Sequence, residues 1–341
     1  KPGEGLRTRC DSVVVKTDVH YPTDINVLWD AMRKIIELTG QLSERENVSD
    51  WRQYRYNLKQ FKRLYRKAQK IKHSTSKNEE KKTKRCEEVH QAYRRYLLEA
   101  ERLIEKSQQT VKDLVCLGNL IAVEQIHHYI EHAIRQIDQT DRRVLQGEAI
   151  LHDEKVFSIF EEHTEWISKG KAGVPVELGV RVSVVEDQYQ FVLHHRIMWK
   201  ETDDKVAVPI IEEAKQRYPL INQCSFDKGY YSKENVIELN KHLDNVILPK
   251  KGRCNKEEKA WEESERFGEA RRQHSGVEAC INNLDIRGFD RCLSYGRAGF
   301  ERHVALSVVA TNLHRIGLLL QRQERARLQR AEHRKAQRSA A

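Results

Sequence analysis

The stretch Leu178-Gly179-Val180-Arg181-Val182-Ser183-Val184-Val185-Glu186-Asp187-Gln188-Tyr189-Gln190-Phe191-Val192-Leu193 decides the fold class. Leu178, Val180, Val182 and Val184 alternate with other residues at the period of a strand, as do Tyr189, Phe191 and Leu193. The polar run Glu186-Asp187-Gln188 suits the turn of a hairpin joining them. Beyond it the spacing predicts a helix (Val206, Ile210, Ile211, Ala214), a short strand over 222–226 ending at Asp227, and a helix over 236–242. A strand over 246–248, a polar loop over 250–265, and helices over about 268–285 and 300–321 complete the segment.

Working back toward the start, residues 6–21 are rich in Val and read as a strand, with Asp11, Val13 and Val15 on one face and Ser12, Val14 and Lys16 on the other. Tyr21-Pro22-Thr23-Asp24 breaks it, and Thr23 or Asp24 can cap the helix that follows. From about 25 to 147 the spacing is helical throughout. Leu28, Met32, Ile35 and Ile36 form one stripe, Leu58, Phe61, Leu64, Tyr65, Ala68 and Ile71 a second, and Val89, Ala92, Tyr96, Leu97, Ala100, Leu103 and Ile104 a third. Ile126, Ile130, Ile134 and Ile137 make a fourth, and no Pro stands between Pro22 and Pro175. The expected organisation is therefore a first strand (1–24), a basic helical insertion (25–148), the remainder of an α/β core (149–321) and a basic tail (322–341) that is a frayed helix or disordered. With the insertion removed, the order β-β-β-α-β-α-β-α resembles a ribonuclease H-like mixed sheet flanked by helices.

Charge narrows the partner. Lys and Arg number 61 against 51 Asp and Glu, a net +10, which favours a polyanion, nucleic acid or an anionic membrane surface. Residues 51–112 alone hold 19 Lys and Arg and 7 Asp and Glu, net +12, so the positive field is concentrated on the helical insertion. That insertion reads either as a solvated helical face or as a platform for a DNA backbone. No stretch approaches 18 apolar residues, which excludes a spanning helix, and no signal-peptide layout opens the chain, so no membrane partner is expected. The seven cysteines are scattered singly, which argues against a zinc cluster and a disulfide framework and fits a reducing cytoplasm. No phosphate-binding G-x-x-x-x-G-K-[ST] loop occurs, so no nucleotide is expected. The absence of an initial Met suggests a fragment.

Two-metal phosphoryl transfer needs carboxylates on rigid mounts converging on ions about 3.5–4 Å apart. Asp11 sits on a strand among valines, Asp227 ends a short apolar strand, and Glu278 shares a helix face with Arg271, His274, Asn282 and Asp285 beside a core stripe of Val277, Ile281 and Leu284. Read alone, Asp227-Lys228-Gly229 serves equally as a turn, and the helix as an ordinary amphipathic one.

Taken together, the blocks resemble the DDE-type transposases of bacterial insertion sequences. Asp11-Ser12-Val13-Val14-Val15 with Val19-His20-Tyr21-Pro22-Thr23-Asp24 is similar to the first-aspartate region. Ile167-Ser168-Lys169-Gly170-Lys171 is similar to the central block, Phe226-Asp227-Lys228-Gly229-Tyr230 to the second-aspartate block, and Gly276-Val277-Glu278 with Asn282 and Leu284 to the glutamate block. Ala310-Thr311-Asn312-Leu313 is similar to the closing helix, so the blocks run in order from about residue 10 to 320. The resemblance implies a polynucleotidyl transferase in which Asp11, Asp227 and Glu278 hold two Mg²⁺ or Mn²⁺ ions, with Asp18 a rival to Asp11. It implies cleavage at transposon ends and strand transfer into target DNA by a homodimer or higher assembly on DNA, in the cytoplasm at the nucleoid. It also implies an upstream DNA-end-binding domain that nothing here represents. Many relatives carry a Lys where Asp285 stands here, seven residues after the glutamate, whereas Arg271 and Arg272 precede it as expected. Arg271, Arg272, Lys228, Lys250 and Lys251 are the candidate DNA contacts. A structure-selective nuclease on the same fold, or an inactive DNA-binding descendant, are the rival readings. His127-His128, His194-His195, His163 and the dispersed tryptophans read as structural or surface residues.

Overall fold

A computed structural model describes residues 3–71, 77–116, 118–168 and 175–340, with side chains to Arg334 at the C-terminal end. The chain is mixed α/β and divides into two compact units, one formed by residues 1–18 with 163–341 and the other by 19–162. The sheet unit contains β1 (Leu6–Thr17), β2 (Glu165–Ser168), β3 (Val176–Asp187), β4 (Val192–Met198), β5 (Ile221–Phe226), β6 (Asn245–Ile247) and β7 (Arg291–Cys292). The helical unit contains α1 (Asp24–Arg45), α2 (Tyr54–Lys70), α3 (Glu79–Cys116) and α4 (Leu120–Thr140). The sheet unit adds α5 (Asp203–Arg217), α6 (Lys233–His242), α7 (Lys256–Glu262), α8 (Glu265–His274), α9 (Gly276–Leu284) and α10 (Gly296–Ala340).

β1 is the spine of the sheet. On one edge it pairs antiparallel with β3, from Thr8↔Asp187 to Lys16↔Gly179. On the other it pairs parallel with β5 as far as Cys10↔Phe226, and with β7 only from Lys16 onward. The β7 edge of β1 is thus open between Cys10 and Lys16. β4 and β2 share the far edge of β3, both antiparallel, and β6 extends the sheet parallel to β5. Helices cover both faces, which is why alternate residues of one strand enter different cores. Cys10, Cys224 and Phe226 pack with Ile210 and Ile211 of α5 and Leu239 of α6. Val15, Val182 and Val184 pack on the opposite face with Cys280 and Leu284 of α9 and Phe300 and Val304 of α10.

The strand β3 covers the expected residues but runs on through Glu186 and Asp187, which the sequence assigns to the turn, and its partner starts later. Tyr189 and Phe191 belong to the turn: Asp187 Oδ1 accepts from the amides of both, at 2.8 and 2.9 Å, and Gln190 takes a φ of 68°. A side-chain acceptor that satisfies two turn amides outcompetes the alternating pattern, so β4 opens at Val192. Residues 250–265 are not all loop, because Asn255 and Glu258 form a reciprocal capping box that starts α7. The helix expected over 268–285 is broken: Ser275 ends α8 and α9 begins at Gly276.

In the helical unit Thr23 rather than Asp24 is the N-cap of α1, its side chain accepting from the Asn26 amide. Leu28, Met32, Ile35 and Ile36 are fully buried. Trp29 stacks on Tyr65 at 5.2 Å, and Trp51 is buried with its indole N–H donated to Thr110 Oγ1 at 2.9 Å. On α4 the buried stripe is Val123, Ile126, Ile130 and Ala133, whereas Ile134 is half exposed. The C-terminal segment from Arg322 continues α10 as helix. The expectation that no segment is long and apolar enough to span a membrane also needs correction. α10 contains an 18-residue window of mean hydropathy 1.3, in which interspersed polar residues prevent an unbroken apolar run. Its first half is tied to the sheet, since the Asn312 side chain both accepts from and donates to the Val192 backbone at 2.9 Å.

Candidate functional site

The strand register determines where the carboxylates fall. Cys10 and Phe226 are the last paired residues of β1 and β5, and both enter the α5–α6 core. Asp11 and Asp227 follow them directly, on strands about 4.8 Å apart, and alternation turns both toward the face covered by α8, α9 and α10. Asp11 is half-buried with Oδ1 accepting from the Ser12 amide at 2.7 Å, and Asp227 is exposed. Asp18, the rival, follows the last residue of β1, seven residues beyond Asp11 and about 20 Å away, where Arg291 pairs with it. Of the two, Asp11 is the one beside Asp227 where the β1–β5 pairing ends.

The helix that carries Glu278, α9, packs on the same face of the sheet, following directly on α8. His274, at the end of α8, is buried and its Nδ1 bonds to Ser225 Oγ at 3.0 Å. Burial, followed by the nearby Arg271 charge, pushes its imidazole down to about 4. Arg271 Nη1 donates to the Phe226 carbonyl at 2.9 Å, and its Nη2 stands 3.9 Å from Asp227 Oδ1. The start of α9 is fixed over Arg9, two residues before Asp11, because a Cβ on Gly276 would lie 2.0 Å from Arg9 Nη1. Arg9 itself is held by Glu186 at 2.7 Å and by the Gln273 and Asp187 carbonyls at 3.0 and 3.2 Å. Burial pushes the Glu186 carboxyl up to about 7 despite that partner. Glu278 is exposed in the first turn of α9, whose buried stripe is Val277, Cys280 and Leu284 rather than Val277, Ile281 and Leu284.

Beneath the strand ends a small polar network fixes the backbone. Ser183 Oγ contacts the Tyr230 hydroxyl at 2.7 Å and Cys10 Sγ at 3.3 Å, and burial pushes the Cys10 thiol up to about 12. Asp203, in the first turn of α5, was not singled out from sequence. A Cβ on Gly229 would lie 2.9 Å from its Oδ2, and its Oδ1 is buried without a hydrogen-bond partner among the described residues.

The other candidates divide. Arg272, Lys228 and Lys251 are exposed. Lys250 is engaged inside the chain, pairing with Glu258 while its amide donates to Glu262 Oε1 at 2.7 Å. Lys169, Gly170 and Lys171 lie outside the described residues. His163 is buried edge-on against Trp199 and Phe300, and His194 pairs with Glu213 at 2.9 Å, both in structural settings. All seven cysteines are free thiols.

Comparison with protein-family models, curated proteins and solved structures finds no match. Function must therefore be argued from the residues. The donor set fits hard divalent cations, since all three candidate ligands are carboxylates and two of them flank one strand junction.

Proposed function

We propose that the chain is the catalytic part of a DDE-type DNA transposase, with Asp11, Asp227 and Glu278 as its metal-binding carboxylates. The observation carrying this reading is the register that sets Asp11 and Asp227 side by side where β1 and β5 part, on the sheet face that α9 covers. The sheet order supports it too: β4, β3, β1, β5 and β6 in sequence, with β3 antiparallel and β5 parallel to β1, is the order of a ribonuclease H-like sheet. The helical unit is then an insertion after the first strand.

Bound at the three carboxylates, two Mg²⁺ or Mn²⁺ ions would activate the attacking hydroxyl and stabilise the leaving oxygen. The chain's own residues position that chemistry. Arg271 ties the end of β5 to α8 and presents a cation beside Asp227, suited to a DNA phosphate. Arg9, clamped between β3 and α8, fixes the start of the helix that carries Glu278. Exposed Lys228 and Arg272 add positive charge on the same unit.

DNA is the partner, and α2 is the strongest candidate for its backbone. This helix has seven Lys and Arg and no Asp or Glu, and all seven are exposed. α3 by contrast balances its charges internally, through pairs such as Arg85–Glu88 and Arg102–Glu99. Self-association on DNA fits the exposed seam Leu306, Val309, Leu313, Ile316 and Leu320 of α10, whose alternating spacing of three and four is that of a coiled coil.

The test is to supply a pre-cut DNA end with a free 3′-hydroxyl and Mn²⁺, and to look for joining to a second DNA. Joined product supports a transposase. Hydrolysis without joining supports a nuclease, and calorimetric titration showing no Mn²⁺ or Mg²⁺ binding supports an inactive DNA-binding protein.

A further inference from the structure

The helical unit contains a second set of metal-ligand side chains, chemically unlike the carboxylates of the sheet unit. His128 and His132 stand one turn apart on α4, so their rings project from one face. The rings meet nearly perpendicular, at 87°, with centroids 4.7 Å apart. Both Nε2 atoms approach the same oxygen, Glu162 Oε1, at 3.0 and 3.1 Å, and the three donor atoms all lie within 4.8 Å of one another.

We propose that His128, His132 and Glu162 form a binding site for a borderline divalent transition-metal ion, of which Zn²⁺ is the representative.

Three arguments carry it. Two imidazoles and one carboxylate are the donor set of open zinc sites, and imidazole selects such ions over Mg²⁺ or Ca²⁺. The spacing is nearly preformed, because a tetrahedral ion with bonds of about 2.0–2.1 Å separates its ligand atoms by roughly 3.3–3.4 Å. The observed 3.0 and 3.1 Å need to open by only a few tenths of an ångström. Finally, His132 is buried, so packing holds its ring in place as a ligand mount.

Half-exposed His128 and Glu162 leave the remaining coordination positions open to water. The ion would cross-link α4 to residue 162, the last of the helical unit, and so close that unit. His132 Nδ1 is buried without a hydrogen-bond partner among the described residues. The outer support that raises ligand basicity is thus missing on that ring, which weakens affinity by about 10- to 100-fold relative to a fully supported site.

Titration of the whole chain with Zn²⁺ by calorimetry, and with Co²⁺ by visible absorption, tests the site. The expected result is one ion per chain with a tetrahedral or five-coordinate Co²⁺ spectrum, and a rise in unfolding temperature. His128→Ala and Glu162→Gln should each weaken binding by about 10-fold or more. Asp227→Asn should leave it unchanged, which separates this site from the carboxylates of the sheet unit. His132 is buried and its replacement can disturb folding, so the two exposed variants decide the matter. Absence of stoichiometric binding, or binding unaffected by both His128→Ala and Glu162→Gln, would reduce the cluster to a hydrogen-bonded one and overturn the proposal.

Discussion

Arg271 bridges the end of β5: one guanidinium nitrogen donates to the Phe226 carbonyl at 2.9 Å while the other stands 3.9 Å from Asp227. The neutral bond aims the strand end, and the charge faces the carboxylate. Arg271→Lys can retain the charge but not both contacts. Metal-dependent DNA cleavage should fall about 10- to 100-fold, and Arg271→Ala should fall further, with DNA binding affected less. Cleavage at the wild-type rate in both variants would remove Arg271 from the site.

His274 predicts a pH dependence of stability. Its folded pKa, about 4, lies below the ordinary 6.5, so the native state binds fewer protons than the unfolded one between these values. The neutral imidazole therefore contributes stability above pH 6.5 that is lost as pH falls toward 4, up to about 3 kcal/mol. Denaturant unfolding of His274→Asn should be flatter than wild type over that window. An identical slope would show that the ring titrates normally.

Glu186 acts in the opposite sense. Its folded pKa, about 7, is raised above the ordinary 4.5, so stability is fullest below pH 4.5 and is lost as pH rises through 7. Glu186→Gln should remove that loss, although it also deprives Arg9 of its ion pair. Chemical denaturation at pH 5 and pH 8 tests this: the wild type should lose stability between the two, and an equal loss in Glu186→Gln would contradict it.

Gly179 sits where β3 is paired on both edges, with Lys16 on one side and Glu165 on the other. A Cβ there would meet the Val15 carbonyl oxygen at 2.2 Å and Lys16 Cα at 2.8 Å, both backbone atoms of the spine strand. Neither can rotate away. Gly179→Ala should cost about 3 kcal/mol or more, measured by urea unfolding, whereas Gly317→Ala on α10, with open space around it, should not destabilise.

On α2, replacing Arg55, Lys59, Lys62 and Arg66 with Gln should lower the salt slope of DNA binding by up to about 4. The reduction should be similar across DNA sequences, as expected for phosphate contacts. An unchanged slope would move the DNA path off this helix.

Much of this architecture was legible because long amphipathic helices and a strand of alternating valines carry strong periodicity. The stripe Leu28, Met32, Ile35 and Ile36 and the face of Val180, Val182 and Val184 fall where periodicity puts them. The residues that escaped are those fixed by short or distant contacts. β7 is two residues long and exists only by pairing with Lys16 and Thr17. The break at Ser275 depends on the α8 and α9 contacts around Arg9, which no helical spacing records. Asp11 and Asp18 could not be separated by pattern, since both lie along one valine-rich segment. The register with β5, whose pairing ends beside Asp11, is the ground on which Asp11 is proposed. His128 and His132 carried a visible one-turn spacing, but their partner Glu162 stands 30 residues from His132, beyond any local signal.

The proposed transposase activity requires Asp11, Asp227 and Glu278 to act together on DNA phosphates. Mn²⁺-dependent nicking of supercoiled plasmid by the wild type, Asp227→Ala and Glu278→Ala, with DNA binding and circular dichroism measured in parallel, tests it most directly. Nicking should fall by about 10³-fold or more in each variant, with folding intact and DNA binding within about a factor of two. Nicking at the wild-type rate in both variants would contradict it.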